Sequence, residues 1–387
     1  MMRPACPAYL GANFSEAAPG HRFGLYYTGW NDDFTATKTE KTRAVESACA
    51  LPEHSRRLLD ALLRRQQALA EAREELISFP CRATSPFATG LGNEHPLENG
   101  FSFLTPYGLP YLPGSSVKGV LRRAAEELAS GEWGDAEGWN ETTIRALFGP
   151  GEEDPTRDDD PRQGSLVFWD VFPQPAKHAL AVEIMTPHLG RYYQGETTPN
   201  TSLTPNPIPF LAVPSESTFT FHIACRPERL ADQALRQNWR LLITAAFRHA
   251  AEWLGFGAKT AVGYGRMRID EKAQQALSEA RDQRIARAAE AARRKTMSEN
   301  QRHIAEFIAK CQKRAEELNG GKDKPNTNLH NNARELVKAA KESADWTQEE
   351  KQMLADAIEE WLPRLIERLD AKETRKQLKL AELRGAG

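Results

Sequence analysis

Lys259, Thr260, Tyr264 and Arg266 stand among the four glycines Gly255, Gly257, Gly263 and Gly265 in the run Leu254–Met267 (LGFGAKTAVGYGRM). Lysine and arginine bring positive charge, and the threonine and tyrosine hydroxyls bring donors. Glycine lets the backbone approach a ligand closely and reach conformations closed to other residues. Successive exposed N–H groups in such a loop make a concavity for anions. A plain helix-to-strand turn needs one glycine, Gly255, as its C-terminal cap. Four glycines with interleaved cations point instead to a phosphate-binding loop. A nucleoside-triphosphate loop reads G-x-x-x-x-G-K-[ST] with the helix after it, but here Lys259-Thr260 follows Ala258 and the helical pattern lies before the loop. The dinucleotide pattern G-x-G-x-x-G fails because Thr260 holds the third glycine position. A loop that carries Tyr264 and runs out in Arg266-Met267-Arg268 suits an extended polyanion, which points to nucleic acid.

A second stretch has similar chemistry. Tyr107–Arg123 (YGLPYLPGSSVKGVLRR) places a Pro113-Gly114 turn before a helix expected to run to about Ser130, with Ser115 or Ser116 as its cap. Helix N-termini offer free N–H groups and partial positive charge, so they receive phosphate readily. Lys118 and Arg122 are four residues apart and share a face, with Arg123 beside them.

Together these stretches resemble the RAMP proteins of CRISPR–Cas systems, through Pro113-Gly114-Ser115-Ser116-x-Lys118-Gly119-x-x-Arg122 and Gly255-Phe256-Gly257-Ala258-Lys259-Thr260-x-x-Gly263-Tyr264-Gly265-Arg266. A third set narrows the likeness. Glu183–His188 (EIMTPH), Tyr192-Tyr193-Gln194-Gly195 and Asn206–Phe210 (NPIPF) resemble the subunit on the 3′-end side of the guide RNA in type III-B Cmr complexes. The resemblance runs from about residue 80 to 270. It implies a non-catalytic structural subunit that holds CRISPR guide RNA (crRNA), meets target RNA, and contacts the backbone, small helical and 3′-end subunits during defence against foreign nucleic acid. It also implies that the proline-rich segment 174–214 is a thumb-like insertion, with His188, Arg191, Tyr192 and Tyr193 contacting RNA. Long irregular segments in compact domains are usually functional, and bases stack on aromatic side chains at about 1–3 kcal/mol each.

Catalytic readings have less to stand on. Asp32-Asp33 in a Trp30–Asp33 turn and Asp170 in a buried strand are the candidates for a metal-dependent endoribonuclease that cuts target RNA. Adjacent residues point in different directions in regular structure, so the first pair reads as a turn, and Asp170 reads as the anchor of a hydrogen-bond network. Histidine acid–base chemistry would fall to His188, which has no partner at a recognisable spacing. His95 reads as a hydrogen-bonding loop residue and His249 as a core-edge residue. The acidic loop Gly151–Pro161 reads as a solvated insertion. No cofactor and no metal is expected.

The whole chain sets the frame for these sites. Its 387 residues are 40% hydrophobic, with a formal charge of −2, so any polyanion site must be a local patch. Five scattered cysteines without a C-x-x-C pair read as reduced thiols rather than a zinc site. With no signal-peptide pattern and no membrane-length apolar run, the expectation is a cytoplasmic protein with no membrane partner.

The positioning elements follow from periodicity. A helix is expected over Ser55–Ile77, ended by Pro80, and then strand, loop and strand over Phe79–Phe103. A short helix should end at Gly149, with strands at Gly164–Phe172, Ser217–Arg226 and Arg266–Ile269. The helix Ala234–Leu254 should present Leu235, Trp239, Leu242, Ala246, Ala250 and Trp253 along one face. That order fits an α+β, ferredoxin-like (RRM-like) core, which the resemblance also implies. The aromatic signature of RNA-recognition modules is missing, so binding should run through loops and helix ends. The expected organisation is an N-terminal segment (1–79) with one long helix, a RAMP core (80–270) with its insertion at 174–214, and a helical linker and accessory helical domain (271–387) for protein contacts. In that extension a long helix over 271–318 should break at Asn319–Asn332 and resume near Asp345–Glu350.

Overall fold

The computed structural model describes residues 4–11, 13–33, 35, 41–134, 136–151, 163–186 and 207–385. The acidic stretch 152–162 and the centre of the proline-rich insertion, with His188, Arg191, Tyr192 and Tyr193, lie outside them. The chain divides into two compact units, Met1–Arg281 and Asp282–Gly387.

The first unit is built on a four-stranded antiparallel sheet. Helix α1 (Glu53–Glu71) leads to β1 (Leu76–Ala83), followed by α2 (Gly114–Ala129), α3 (Glu141–Phe148) and β2 (Leu166–Phe168). A separate hairpin, β3 (Ala181–Met185) with β4 (Ile208–Ala212), precedes β5 (Thr218–Cys225), α4 (Gln233–His249) and β6 (Met267–Ile269). Across the sheet the order is β2–β5–β1–β6. Register runs from Leu76 opposite Ala224 to Arg82 opposite Thr218, with Cys81 opposite Ile269.

Alternation along the two central strands sends Phe79, Cys81, Phe219, Phe221 and Ile223 into the core. There Phe79 stacks on Phe247 of α4 at 4.1 Å. The core also takes in Phe23, Tyr27, Val45, Leu51 and Leu59, so the N-terminal residues pack with the sheet.

Two expectations fail here for physical reasons. The first helix caps at Ala72, and Leu76 and Ile77, which fit its apolar spacing, belong to β1 instead. Pro80 does not end that helix but lies inside the strand. Its carbonyl accepts from Asp270 N–H at 2.8 Å, just past the end of β6. Its missing donor therefore faces the side where the ladder has stopped, and proline is tolerated.

Trp253 also leaves its expected place. Helix α4 ends in a single wide turn, Ala250–Leu254, closed by Gly255 N–H on the Ala250 carbonyl at 2.8 Å. The extra residue in that turn rotates Trp253 off the stripe of Trp239, Leu242, Ala246 and Ala250, leaving it 52% exposed.

The second unit is helical, with its own core of Ile304, Phe307, Val337, Leu354, Ile358 and Leu362. Helix α5 (Glu271–Thr296), which spans the unit boundary, buries none of its residues. The long helix expected to continue to 318 breaks at Ser298, which caps α6 (Glu299–Leu318). Asn319 ends α6 in the left-handed region, α7 (Asn328–Glu342) follows, and Thr347 caps α8 (Gln348–Leu365). Glu350 joins the two starts. Its carboxylate accepts from the Ser298 hydroxyl, from Asn300 Nδ2 at 3.1 Å and from Thr347 N–H at 2.9 Å.

Candidate nucleic-acid interface

The glycine-rich loop is pinned into the core by Phe256. This side chain is fully buried, with ring centroids 4.7 Å from Phe221 and 5.5 Å from Phe247. Around it the backbone closes on itself: Phe256 N–H donates to Gly265 O (2.9 Å), and Gly265 N–H to Pro86 O (2.8 Å). Ala258 N–H donates to Ala88 O (2.7 Å), and Arg266 N–H to Ser85 Oγ (3.0 Å). Gly257 and Gly265 are demanded by space as well as angle. At φ +88° and +72°, a Cβ would lie 2.3 Å from Ala88 O and 1.9 Å from Phe256 O respectively. Much of the glycine pattern thus serves loop closure. The supporting segment Ser85–Ala88 carries no charge and had no signal in the sequence.

What closure leaves over is at the tip. Lys259 takes the left-handed conformation (φ 59°, ψ 29°), and Thr260–Val262 form one helical turn. A left-handed residue followed by a right-handed one turns successive N–H groups to one side. The N–H groups of Lys259, Thr260 and Ala261 have no acceptor among the described residues, whereas those of Val262, Gly263 and Tyr264 are satisfied within the loop.

The loop is tied to the root of the insertion. Tyr264 OH donates to Glu183 Oε2 on β3 at 2.9 Å, and Lys259 Nζ lies 5.8 Å from the ring centroid of Phe210 on β4. Burial, then the bond to Glu183, pushes the Tyr264 phenol up to about 12, so it stays a donor. Neither Glu183 nor Phe210 stood out as a loop partner in sequence, since their link is long-range.

The α2 start differs from expectation. Ser115 and Ser116 do not cap it: the helix begins at Gly114, whose N–H donates to Asp170 Oδ1 at 2.8 Å. A carboxylate from the β2 side thus already sits at this N-terminus, the anchoring role read for Asp170. Arg122 is equally committed, donating to Glu126 Oε1 and Gly149 O, each at 2.9 Å. Arg123 pairs with Glu127. Lys118, Lys259 and Arg266 have no ion pair among the described residues. Burial, then the neighbouring Arg122, lowers the Lys118 pKa. Helix α2 packs against α4 and against the wide turn that delivers the loop.

Two other candidates make hydrogen bonds to nearby residues. Asp33 accepts from the Thr35 hydroxyl (2.6 Å) and N–H (3.0 Å), the turn read from sequence. His95 accepts from Leu97 N–H on Nδ1 and donates from Nε2 to Phe23 O, and burial lowers its pKa. Among the described residues, no three or more His, Cys, Asp or Glu side chains group to hold a metal ion. No helix there is long and apolar enough to cross a membrane.

Residues 81–268 match the model of the RAMP superfamily. Among curated proteins it is similar to the CRISPR system Cmr subunit Cmr6 of Pyrococcus furiosus, 29% identical over 232 residues. That match takes in 48% of this chain and 66% of the relative, just under two thirds of its length. Among solved structures, a chain of the type III-B Cmr-beta complex bound to cognate target RNA is 20% identical, with a TM-score of 0.40, over 59% of this chain and 69% of that one. The crystal structure of Cmr6 from Pyrococcus furiosus is 27% identical, with a TM-score of 0.27, over 50% of this chain and 97% of that one.

Proposed function

We propose that this protein is a non-catalytic, guide-RNA-binding structural subunit of a type III-B CRISPR effector complex, placed on the 3′ side of the crRNA. The observation that carries the reading is the loop tip: three N–H groups on one side of the chain at Lys259, Thr260 and Ala261, in a loop that ends in Arg266 and lies within the residues matched to the RAMP superfamily. A row of N–H donors with a lysine that has no ion pair among the described residues holds a sugar–phosphate backbone without reading its bases. The sheet order, with two helices between its first and second strands and one between its third and fourth, supports a ferredoxin-like core whose loops do the binding. Lys118, Ser115, Ser116 and Thr260 extend the backbone contacts. Arg122 and Arg123 join them only if RNA displaces their glutamate partners. His188, Arg191, Tyr192 and Tyr193 of the insertion would meet the guide–target duplex, and the helical extension would meet other subunits.

The test is RNA retention by the assembled complex carrying Lys259→Ala with Arg266→Ala, measured across salt. The double variant is expected to lose guide RNA, with the log–log salt slope shallower by about 0.7 for each phosphate contact removed. Unchanged retention sinks the assignment. Magnesium-dependent cleavage by the isolated chain, abolished at Asp32, Asp33 or Asp170, would favour the endoribonuclease reading instead.

A further inference from the structure

Two tryptophans lie together on the surface of the first unit, away from any role in the loop. Trp133, just past the end of α2, and Trp253, in the wide turn after α4, are 49% and 52% exposed. Their rings lie 5.4 Å apart at 50°. Tryptophan is seldom left so open. The pair is also braced: Trp133 stands edge-on to His249 at 4.8 Å, and His249 Nε2 meets Glu127 Oε2 at 2.8 Å. The wide turn is what brings Trp253 out, and such turns within helices concentrate at functional sites.

The surrounding charge says what covers the pair. Glu132 and Glu252, each adjacent in sequence to one tryptophan, are exposed and have no ion-pair partner among the described residues. Two free carboxylates repel an RNA backbone and attract a cation, and indole faces are the best aromatic seats for one. We propose that Trp133 and Trp253, with the exposed Glu132 and Glu252 next to them in the chain, anchor an arginine or lysine side chain of a neighbouring protein subunit. Tryptophan and arginine are the residues most enriched among dominant interface contacts. Only the choice of partner rests on the reading of the chain as an effector-complex subunit.

The test uses the full chain and each of the other protein subunits encoded with it, purified singly, with Kd measured by calorimetry. Both Trp133→Ala/Trp253→Ala and Glu132→Lys/Glu252→Lys are expected to weaken binding of the same subunit by about tenfold or more, with single-stranded RNA affinity unchanged in the tryptophan variant. The charge reversal alters only exposed side chains, so it stands even if the tryptophan variant folds poorly. Lys259→Ala/Arg266→Ala, run in parallel, is expected to lose RNA and keep the subunit, which separates the loop reading from this one. Wild-type Kd in both surface variants overturns the anchor, as does a wild-type chain that binds none of the subunits. Loss of RNA affinity in the tryptophan variant also overturns it, placing bases on the indoles.

Discussion

Gly265→Ala tests whether the loop is held by its main chain. The residue is buried at φ +72°, and a Cβ there would lie 1.9 Å from Phe256 O, a backbone atom that cannot swing away. A left-handed alanine costs about 1–2 kcal/mol, and forcing a methyl into packed space about 1–3 kcal/mol more. Loss of glycine's freedom in the unfolded chain returns about 0.4–1 kcal/mol. The net is about 2–4 kcal/mol, which lowers the melting temperature of the first unit by roughly 10 °C. Gly263→Ala is the control. Its φ is +94°, but nothing lies within 4 Å of its Cβ position, so only the torsional cost applies, about 1 kcal/mol net. Scanning calorimetry of both variants, with guide-RNA retention alongside, decides the matter. Equal losses at the two glycines would refute the argument, because they would mean the close approach to Phe256 carries no energy.

Burial lowers the pKa of His222, bonded through Nδ1 to the Ser78 hydroxyl at 2.9 Å, to about 4. A depressed histidine gives stability that is complete above its unfolded pKa of about 6.5 and lost as pH falls towards 4, about 3 kcal/mol in all. Urea midpoints between pH 4 and 7 should show that slope flattened in His222→Gln. Asp170→Ala removes the acceptor at the start of α2 and should cost about 1 kcal/mol, with Asp170→Asn losing less, read by chemical denaturation. Glu350→Ala strips acceptors from Ser298, Asn300 and Thr347 at once. It should destabilise the second unit by about 2 kcal/mol, seen as a lower melting transition for that unit while the first is unmoved.

Local pattern carried much of the fold. The apolar spacing of α4, the alternation in β5 and the cap before α8 were each legible because the responsible residues are neighbours in sequence. Leu76 and Ile77 misled because two residues that fit a helical stripe also fit a strand. Only the cap at Ala72 and the partners on β5 decide between them. Trp253 misled for a related reason: one extra residue in a single turn breaks a period without changing composition.

At the site, the glycines and Lys259 were visible as a loop, but their division of labour was not. Gly265 needs Phe256 O, Gly257 needs Ala88 O and the α2 start needs Asp170, all set by tertiary closure. Arg122 shows the converse, since its spacing from Lys118 promised a shared face while Glu126 and Gly149 had already claimed it.

The three peptide N–H groups at the loop tip belong to the main chain, and this changes how their contribution can be found. Alanine scanning leaves every one of them in place, so a survey by side-chain truncation would credit Lys259 and Arg266 with whatever binding it detects and score the rest as silent. Replacing the Thr260 or Ala261 amide by an ester, which deletes the N–H and keeps the side chain, is the substitution to which such a site is sensitive.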